Sequence, residues 1–392
     1  MCEHMIKFRG HHGVVVVALA FDLTEMLESW SHLRAAMLKS VPDAFSRDEW
    51  AYLVAFLDPA NLRKPFQQSF GEQEETADCP ALLAAPRGPI GLWLPNNVSL
   101  LGPLMLILVS LTGSKLRMKA GSRSLDLAGE FLEYARAHAP RGALRDYLSA
   151  CAVHEVFGHE DPRTAEMAKQ SSVRIVFGSD EAAAAIHYLP HPIDSVAITF
   201  SDRRSEAWIE LERCNEAVLR DLIKVFAIYG QAGCTSPSRV ILLDADQTTA
   251  MRIRDQIVEL WPSVIRRRPA MNVVSDNVRA WQLARAAGWN SVLVSENKAV
   301  VSIGGYDLQT FPSLMEMRII PTHKAEARAH LPENSQTIGH ALSNSADPAW
   351  LRLFSGSNIA RFVPLNTMHH LETVWDGQDF WAQLFRVVRV QA

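Results

Sequence analysis

Of the five cysteines, Cys2, Cys79, Cys151, Cys214 and Cys234, the last has the neighbours that thiol chemistry needs. It stands in YGQAGCTSPSRVILL, a short stretch of small and hydroxylated residues just ahead of an apolar run. Ala232 and Gly233 leave backbone amides and space beside the sulfur, as a tetrahedral adduct requires. A solitary cysteine is more often a buried small hydrophobe, so spacing alone leaves both a nucleophile and a packing residue open. The odd count, irregular gaps and lack of a CxxC argue against a disulfide framework and a zinc ribbon, and fit a reducing compartment.

Two further clusters invite chemistry. CAVHEVFGHE at 151–160 offers Cys151, His154, His159 and Glu160, but a zincin helix needs its histidines four apart. These are five apart, about 140° around a helix, so polar residues in a loop are the preferred reading and no metal is expected. His369 and His370 read either as a partly solvated pair near the C-terminus or as an acid, and because they are adjacent at most one can face a given site. The tryptophans at 261, 281, 289, 350, 375 and 381 read as packing residues. The basic run Arg266 to Arg268 reads as a solvated helix end that would also suit an acidic protein or a phosphate.

The elements that must position these residues follow an α/β rhythm, strand-like runs of Val, Ile and Leu alternating with helix-period stretches. Pro89 to Pro95 (PIGLWLP) reads as a strand, followed by an Asn-rich turn and an apolar helix from about Leu100. Lys115 to Lys119 reads as another, followed by a helix that Ser124 would cap, with Leu127, Ala128, Phe131, Leu132 and Ala135 on one face. Val173 to Phe177 is a third, ahead of Gly178-Ser179 and an alanine-rich helix start. A helix with Val218, Leu219, Leu222, Val225, Phe226 and Tyr229 at helical spacing ends at Gly230. Cys234 then lies mid-loop before a strand at Arg239 to Leu243 and a helix from about Asp246 to Leu260. Residues His323 to Pro348 are the most loop-like later stretch, and Ser201 to Glu206 is the expected crossing between halves.

Bulk properties bound the partners. The chain has 392 residues, more than one core usually supports. With 39 basic against 43 acidic residues and a pI near 6.4 it lacks the basic field that would hold nucleic acid. The apolar run Val14 to Phe21 is too short for most signal cores and reads as a buried strand. Leu100 to Leu111 is about twelve residues where roughly twenty are needed to span a bilayer. A cytoplasmic location without a membrane span is expected.

GQAGCTSPSRV resembles the active-site cysteine segment of the aldehyde dehydrogenase superfamily, in which a Gly-Gln pair precedes the nucleophile and Pro-Ser-Arg follows it. Gln231 lies three residues ahead of the cysteine rather than two. LPNNVSLLGP at 94–103 resembles the turn whose asparagine amide holds the oxyanion. RMKAGS at 117–122 is similar to the strand end that binds the adenosine ribose, and VFGS at 176–179 to the Gly-Ser turn facing the cofactor phosphates. The superfamily's hydrolytic members carry an Glu-Leu-Gly-Gly glutamate some thirty residues before the cysteine. Here the stretch is ITFSDRRSEAW, with Asp202 and Glu206 out of register. That absence, with IARFVPLNTMHHLETVWDG at 359–377 and its Arg-x-x-Pro and Trp-Asp-Gly, resembles the LuxC-like acyl-CoA reductase branch. The resemblance spans about residues 85 to 385 and leaves the first 80 unmatched.

The resemblance implies an aldehyde-dehydrogenase-like fold: a Rossmann-type cofactor-binding domain over 1–204, a catalytic domain over 205–365, and a C-terminal segment 366–392 that packs back on the body. It implies that Cys234 is the nucleophile and Asn97 an oxyanion donor. Lys119, Ser122, Arg123, Gly178 and Ser179 would bind the cofactor. It implies NADPH-dependent reduction of an acyl thioester, on CoA or a carrier protein, to an aldehyde. NADPH is favoured over NADH because Ser122 and Arg123 stand where NAD-preferring relatives place a ribose-binding glutamate. Homo-oligomers are expected by analogy alone. The competing readings are an aldehyde-oxidising dehydrogenase, CoA-acylating or hydrolytic, and a non-catalytic dehydrogenase-like subunit that binds a carrier or partner.

Overall fold

The computed structural model describes residues 4–10, 13–74, 82–122, 124–201, 203–231, 233–266, 271–306, 315–355 and 357–390, apart from the side chains of residues 229, 351 and 353. Cys2, Cys79, Arg123, Asp202, Ala232, Arg267 and Arg268 therefore lie outside the described residues. The chain divides into two compact units, Met1–Ser201 with Leu371–Ala392, and Asp202–His370.

The first unit carries a parallel sheet of β1 (Ile90–Trp93), β2 (Leu116–Ala120), β3 (Ala152–Val156), β4 (Val173–Gly178) and β5 (Val196–Ser201). Their order is β3-β2-β1-β4-β5. Strand order reverses between β1 and β4, and in such doubly wound sheets ligands bind beyond the carboxyl ends of the strands at that point. All four residues of β1 are buried, as suits a strand covered on both faces. Helix α1 (Leu101–Ser110) follows it and is buried almost all round.

A second sheet of the same unit is made by the chain's two ends. Gly13–Leu19 is its central strand, as the apolar run at Val14 to Phe21 implied, and Phe385–Arg389 pairs antiparallel with Leu82–Pro86 at one edge. Trp381 and Phe385 pack there on Phe66 and Phe70. The Asp-Gly of the Trp-Asp-Gly motif is a two-residue hairpin turn between Trp375 and Gln378. Both turn residues have positive φ, 48° and 75°, which the Asp-Gly pair accommodates.

The second unit is built on β6 (Arg204–Glu210), β7 (Pro237–Leu243), β8 (Asn290–Leu293), β9 (Val300–Ile303), β10 (Glu316–Thr322), β11 (Ser335–Ala341) and β12 (Arg361–Pro364). The order is β8-β9-β10-β7-β6-β11-β12, parallel except for β8 against β9. One face packs on helix α2 (Glu216–Ala227) and on Gln247–Val264 through Leu222, Phe226, Ile257 and Trp261. The other buries Trp208 and Trp350.

Four local expectations are corrected. The stretch at Ala152–Val156 is an edge strand rather than a loop. Ser124 does not cap a helix: its hydroxyl donates to Pro95 O at 3.2 Å and accepts from Asp126 N at 3.1 Å, and the helix begins at Ala128. Helix α2 ends at Ala227, before Gly230, because a 3-10 turn takes over at Ile228–Gln231. The loop-like region His323 to Pro348 contains a helix, Lys324–Ala329, and the buried strand β11. Its polar sequence SQTIGHA lacks the apolar alternation by which strands are read.

Candidate functional site

In the first unit, the sequence-designated residues Asn97, Lys119, Ser122, Gly178 and Ser179 come together along one edge of the parallel sheet. Each lies at or just after the carboxyl end of β1, β2 or β4. Backbone bonds join the loops: Leu125 N donates to Asn96 O at 3.2 Å and Leu127 N to Ser99 O at 3.0 Å. A Cβ on Gly121 would lie 2.3 Å from the Asn96 carboxamide oxygen, so a glycine is what lets the two loops meet. Asn97 is exposed in the bend beyond β1. The Lys119 ammonium lies 5.6 Å from the Phe157 ring centroid, and burial pushes its pKa below the usual lysine value.

Ser179 caps the helix Asp180–His187, its hydroxyl accepting from Ala182 N at 3.2 Å. Asp180 and Glu181 fill the first turn and already answer the helix dipole. His154, weighed earlier as a ligand, is paired with Asp126 at 3.0 Å, and Arg117 and Arg163 are both bonded to Glu155. No group of three or more metal-ligating side chains occurs among the described residues.

In the second unit, Cys234 lies in the loop ahead of β7, at the amino edge of the sheet, and is exposed. The loop is entered through two left-handed residues, Gly230 (φ 60°) and Gln231 (φ 63°). A left-handed glutamine carries about 1–2 kcal/mol of backbone strain. Its side chain helps hold it there, the amide donating to Pro237 O at 3.3 Å and Glu316 O at 3.4 Å. Beyond it, a hydroxyl and a backbone turn fix the chain. Ser205 Oγ donates to Cys234 O at 2.7 Å, and Ser236 N donates to Gly233 O at 2.9 Å. Ser205 reaches the loop from a β-bulge at Ser205/Glu206, an irregularity common beside active sites.

Of the groups around Cys234, Gln336 and Val225 come from places the motifs do not mark, whereas Thr235 and His369 lie within the quoted segments. Gln336, on β11 and wholly buried, donates its amide to the Cys234 sulfur at 3.4 Å. Thr235 meets His369 Nδ1 at 2.6 Å, while His369 Nε2 meets Val225 O at 2.7 Å. Burial pushes the His369 pKa down to about 4. The ring is therefore neutral at pH 7, with Nε2–H donating to Val225 and Nδ1 accepting from the threonine. Arg361 of the Arg-x-x-Pro motif places this histidine by donating to Met368 O and His370 O at 3.0 and 3.1 Å. Spacing from Cys234 could not have located Gln336, Val225 or His369; only the Arg-x-x-Pro motif lay near one of them.

Glu206 is engaged elsewhere. One carboxylate oxygen receives Arg239, and the other receives Trp208 Nε1 at 2.8 Å. Burial pushes its pKa up against the opposing pull of Arg239.

A family model described as acyl-CoA reductase (LuxC) matches residues 23–387. The chain belongs to the LuxC acyl-CoA reductase family. It is thus an oxidoreductase, and the family match reaches back to residue 23, into the segment that the sequence motifs left unmatched. The fold of this LuxC-family chain is aldehyde-dehydrogenase-like. An aldehyde dehydrogenase from Bartonella henselae superposes with a TM-score of 0.62 at 12% identity, over 94% of this chain and 87% of that one. GapN, a glyceraldehyde-3-phosphate dehydrogenase from Methanocaldococcus jannaschii complexed with NADP, gives 0.65 at 12% identity, over 95% and 90%. An NAD-dependent benzaldehyde dehydrogenase from Corynebacterium glutamicum gives 0.62 at 10%, over 95% and 86%. No curated protein matches the LuxC-family chain.

Proposed function

We propose that this reductase converts an acyl-CoA thioester to the aldehyde through a cysteinyl thioester on Cys234, using a reduced nicotinamide cofactor, with NADPH preferred over NADH. The observation that carries the proposal is the Cys234 loop: an exposed thiol whose sulfur accepts a buried amide and whose flanking backbone is held by Ser205 and by Thr235 on His369. Such a setting presents a nucleophile in fixed geometry.

The Cys234 thiolate attacks the thioester carbonyl. A C–S bond to Cys234 forms, the bond to the carrier sulfur breaks, and the carrier thiolate leaves and takes a proton from solvent. The Cys234 backbone amide and, by family resemblance, the Asn97 side chain donate to the oxyanion. Glu206, bound to Arg239 and Trp208, is poorly suited to activate water against the acyl-enzyme. The acyl group is thereby kept for reduction.

The first unit fits a dinucleotide. Its 3-2-1-4-5 sheet offers a switch point between β1 and β4. Lys119 would hold the ribose, and Ser122 with Arg123 would accommodate a 2′-phosphate. Asp180 and Glu181 make the Ser179 helix end a poorer anion site, so among the cofactor assignments Lys119, Ser122 and Arg123 carry more weight than Gly178 and Ser179. When bound, the cofactor supplies the hydride that brings the acyl carbon to the aldehyde level.

Steady-state assays in both directions test this reading. The expected result is aldehyde and free CoA thiol in equal amounts, with a higher kcat/KM for NADPH than for NADH. A main reaction in which aldehyde and oxidised cofactor give free acid in water would contradict it.

A further inference from the structure

Resting on the reading of Cys234 as the nucleophile, we infer that Gln336 is a catalytic residue whose buried carboxamide holds the sulfur as a thiolate. Gln336 is the second residue of β11, fully shielded from solvent, and its Nε2 donates to Cys234 Sγ at 3.4 Å. The thiol is exposed to solvent while the donor reaches it from the protein interior. A buried amide costs about 1–3 kcal/mol when its hydrogen bonds are not made. Placing one on a sulfur therefore selects for a sulfur that accepts strongly.

A neutral thiol accepts weakly, whereas donors to an ionised group form hydrogen bonds roughly twice as strong. The amide thus favours the charged form and lowers the thiol's pKa. The same donor serves the last step. When the thiohemiacetal alkoxide re-forms its C=O bond, the C–S bond breaks with its electron pair on sulfur, and the departing thiolate meets the same N–H.

Glu206 is bonded to Arg239, and Glu316 to Arg318 at 2.8 Å. His369 is uncharged at pH 7, Arg361 is bonded to the 368–370 turn, and Arg204 at the start of β6 is exposed. The amide is a donor that reaches the sulfur itself.

The test is the pH dependence of iodoacetamide alkylation, followed at the Cys234 peptide by mass spectrometry, in full-length wild type, Gln336→Met and Gln336→Glu. Methionine keeps the length and volume without the donor. Glutamate keeps the shape and adds a negative charge. Alkylation at pH 7 is expected to slow about tenfold in Gln336→Met, a rise of one unit in the thiol's apparent pKa, with the high-pH plateau unchanged. Gln336→Glu should slow it further, and it carries the test should the methionine variant fail to fold. Profiles that superimpose on wild type in the folded variants would overturn the inference. The underlying reading is checked separately by mapping the acyl adduct formed with acyl-CoA. An adduct that never maps to Cys234 defeats that reading, whereas acylation at Cys234 with unmoved alkylation profiles defeats the role of Gln336 alone.

Discussion

At the residue scale, the loop around Cys234 depends on a histidine that works by staying neutral. His369 has its pKa pushed down to about 4 by burial, with Arg361 and His370 adding to the effect. In the unfolded chain a histidine titrates near 6.5. As pH falls through 6.5 the unfolded state takes up a proton that the folded state refuses until about 4. The stability this group contributes is thus full above pH 6.5, shrinks below it and is gone by about pH 4, at most about 3 kcal/mol in all. His369→Gln cannot titrate, so its Tm should fall less than the wild-type Tm between pH 7 and pH 4.5, from a lower value at pH 7. Parallel Tm curves for the two proteins would refute this assignment. The sequence pointed to Cys234 through its small, hydroxylated surroundings and left the His369-His370 pair open as acids. It could not show that His369 bonds Thr235, 134 positions away, or that Gln336 reaches the sulfur across 102. Contacts of that separation leave no local pattern to read.

At the element scale, the loops beyond β1 and β2 depend on how closely α1 approaches them. Gly102, in the first turn of α1, has no room for a side chain. A Cβ there would lie 2.3 Å from Asp126 Oδ1 and 2.5 Å from Ala128 Cβ. Alanine is the better helix former by about 1 kcal/mol, but overpacking a filled site costs about 1–3 kcal/mol. Gly102→Ala should therefore be destabilising, by up to about 4 °C in Tm; an unchanged or higher Tm would show that the loops can yield. Elements with strong apolar runs, such as Ile90–Trp93, Val173–Gly178 and α2, were legible because burial on one or both faces dictates their composition. Strand β11 was not. Its SQTIGHA sequence is buried through polar residues whose backbone pairs with both neighbouring strands, and no hydrophobic period signals it.

At the scale of the whole molecule, the alternation of strand-like and helical runs was enough for an α/β fold, four short motifs in order for the resemblance to aldehyde dehydrogenases, and the missing glutamate with the 359–377 stretch for the LuxC family. The first 80 residues resisted because they hold no motif to match; their described part forms a hairpin, three helices and an aromatic cluster closed by Trp381 and Phe385 from the far end of the chain. No helix among the described residues is long and apolar enough to cross a membrane. If acyl groups pass through one sulfur, intact mass spectrometry of the protein will show it. Mixed with a panel of acyl-CoA thioesters, the wild-type chain should gain the mass of each acyl group and lose it when NADPH is added, while Cys234→Ala should gain none. Acyl adducts that form on Cys234→Ala and disappear with NADPH would contradict the claim and place the nucleophile elsewhere.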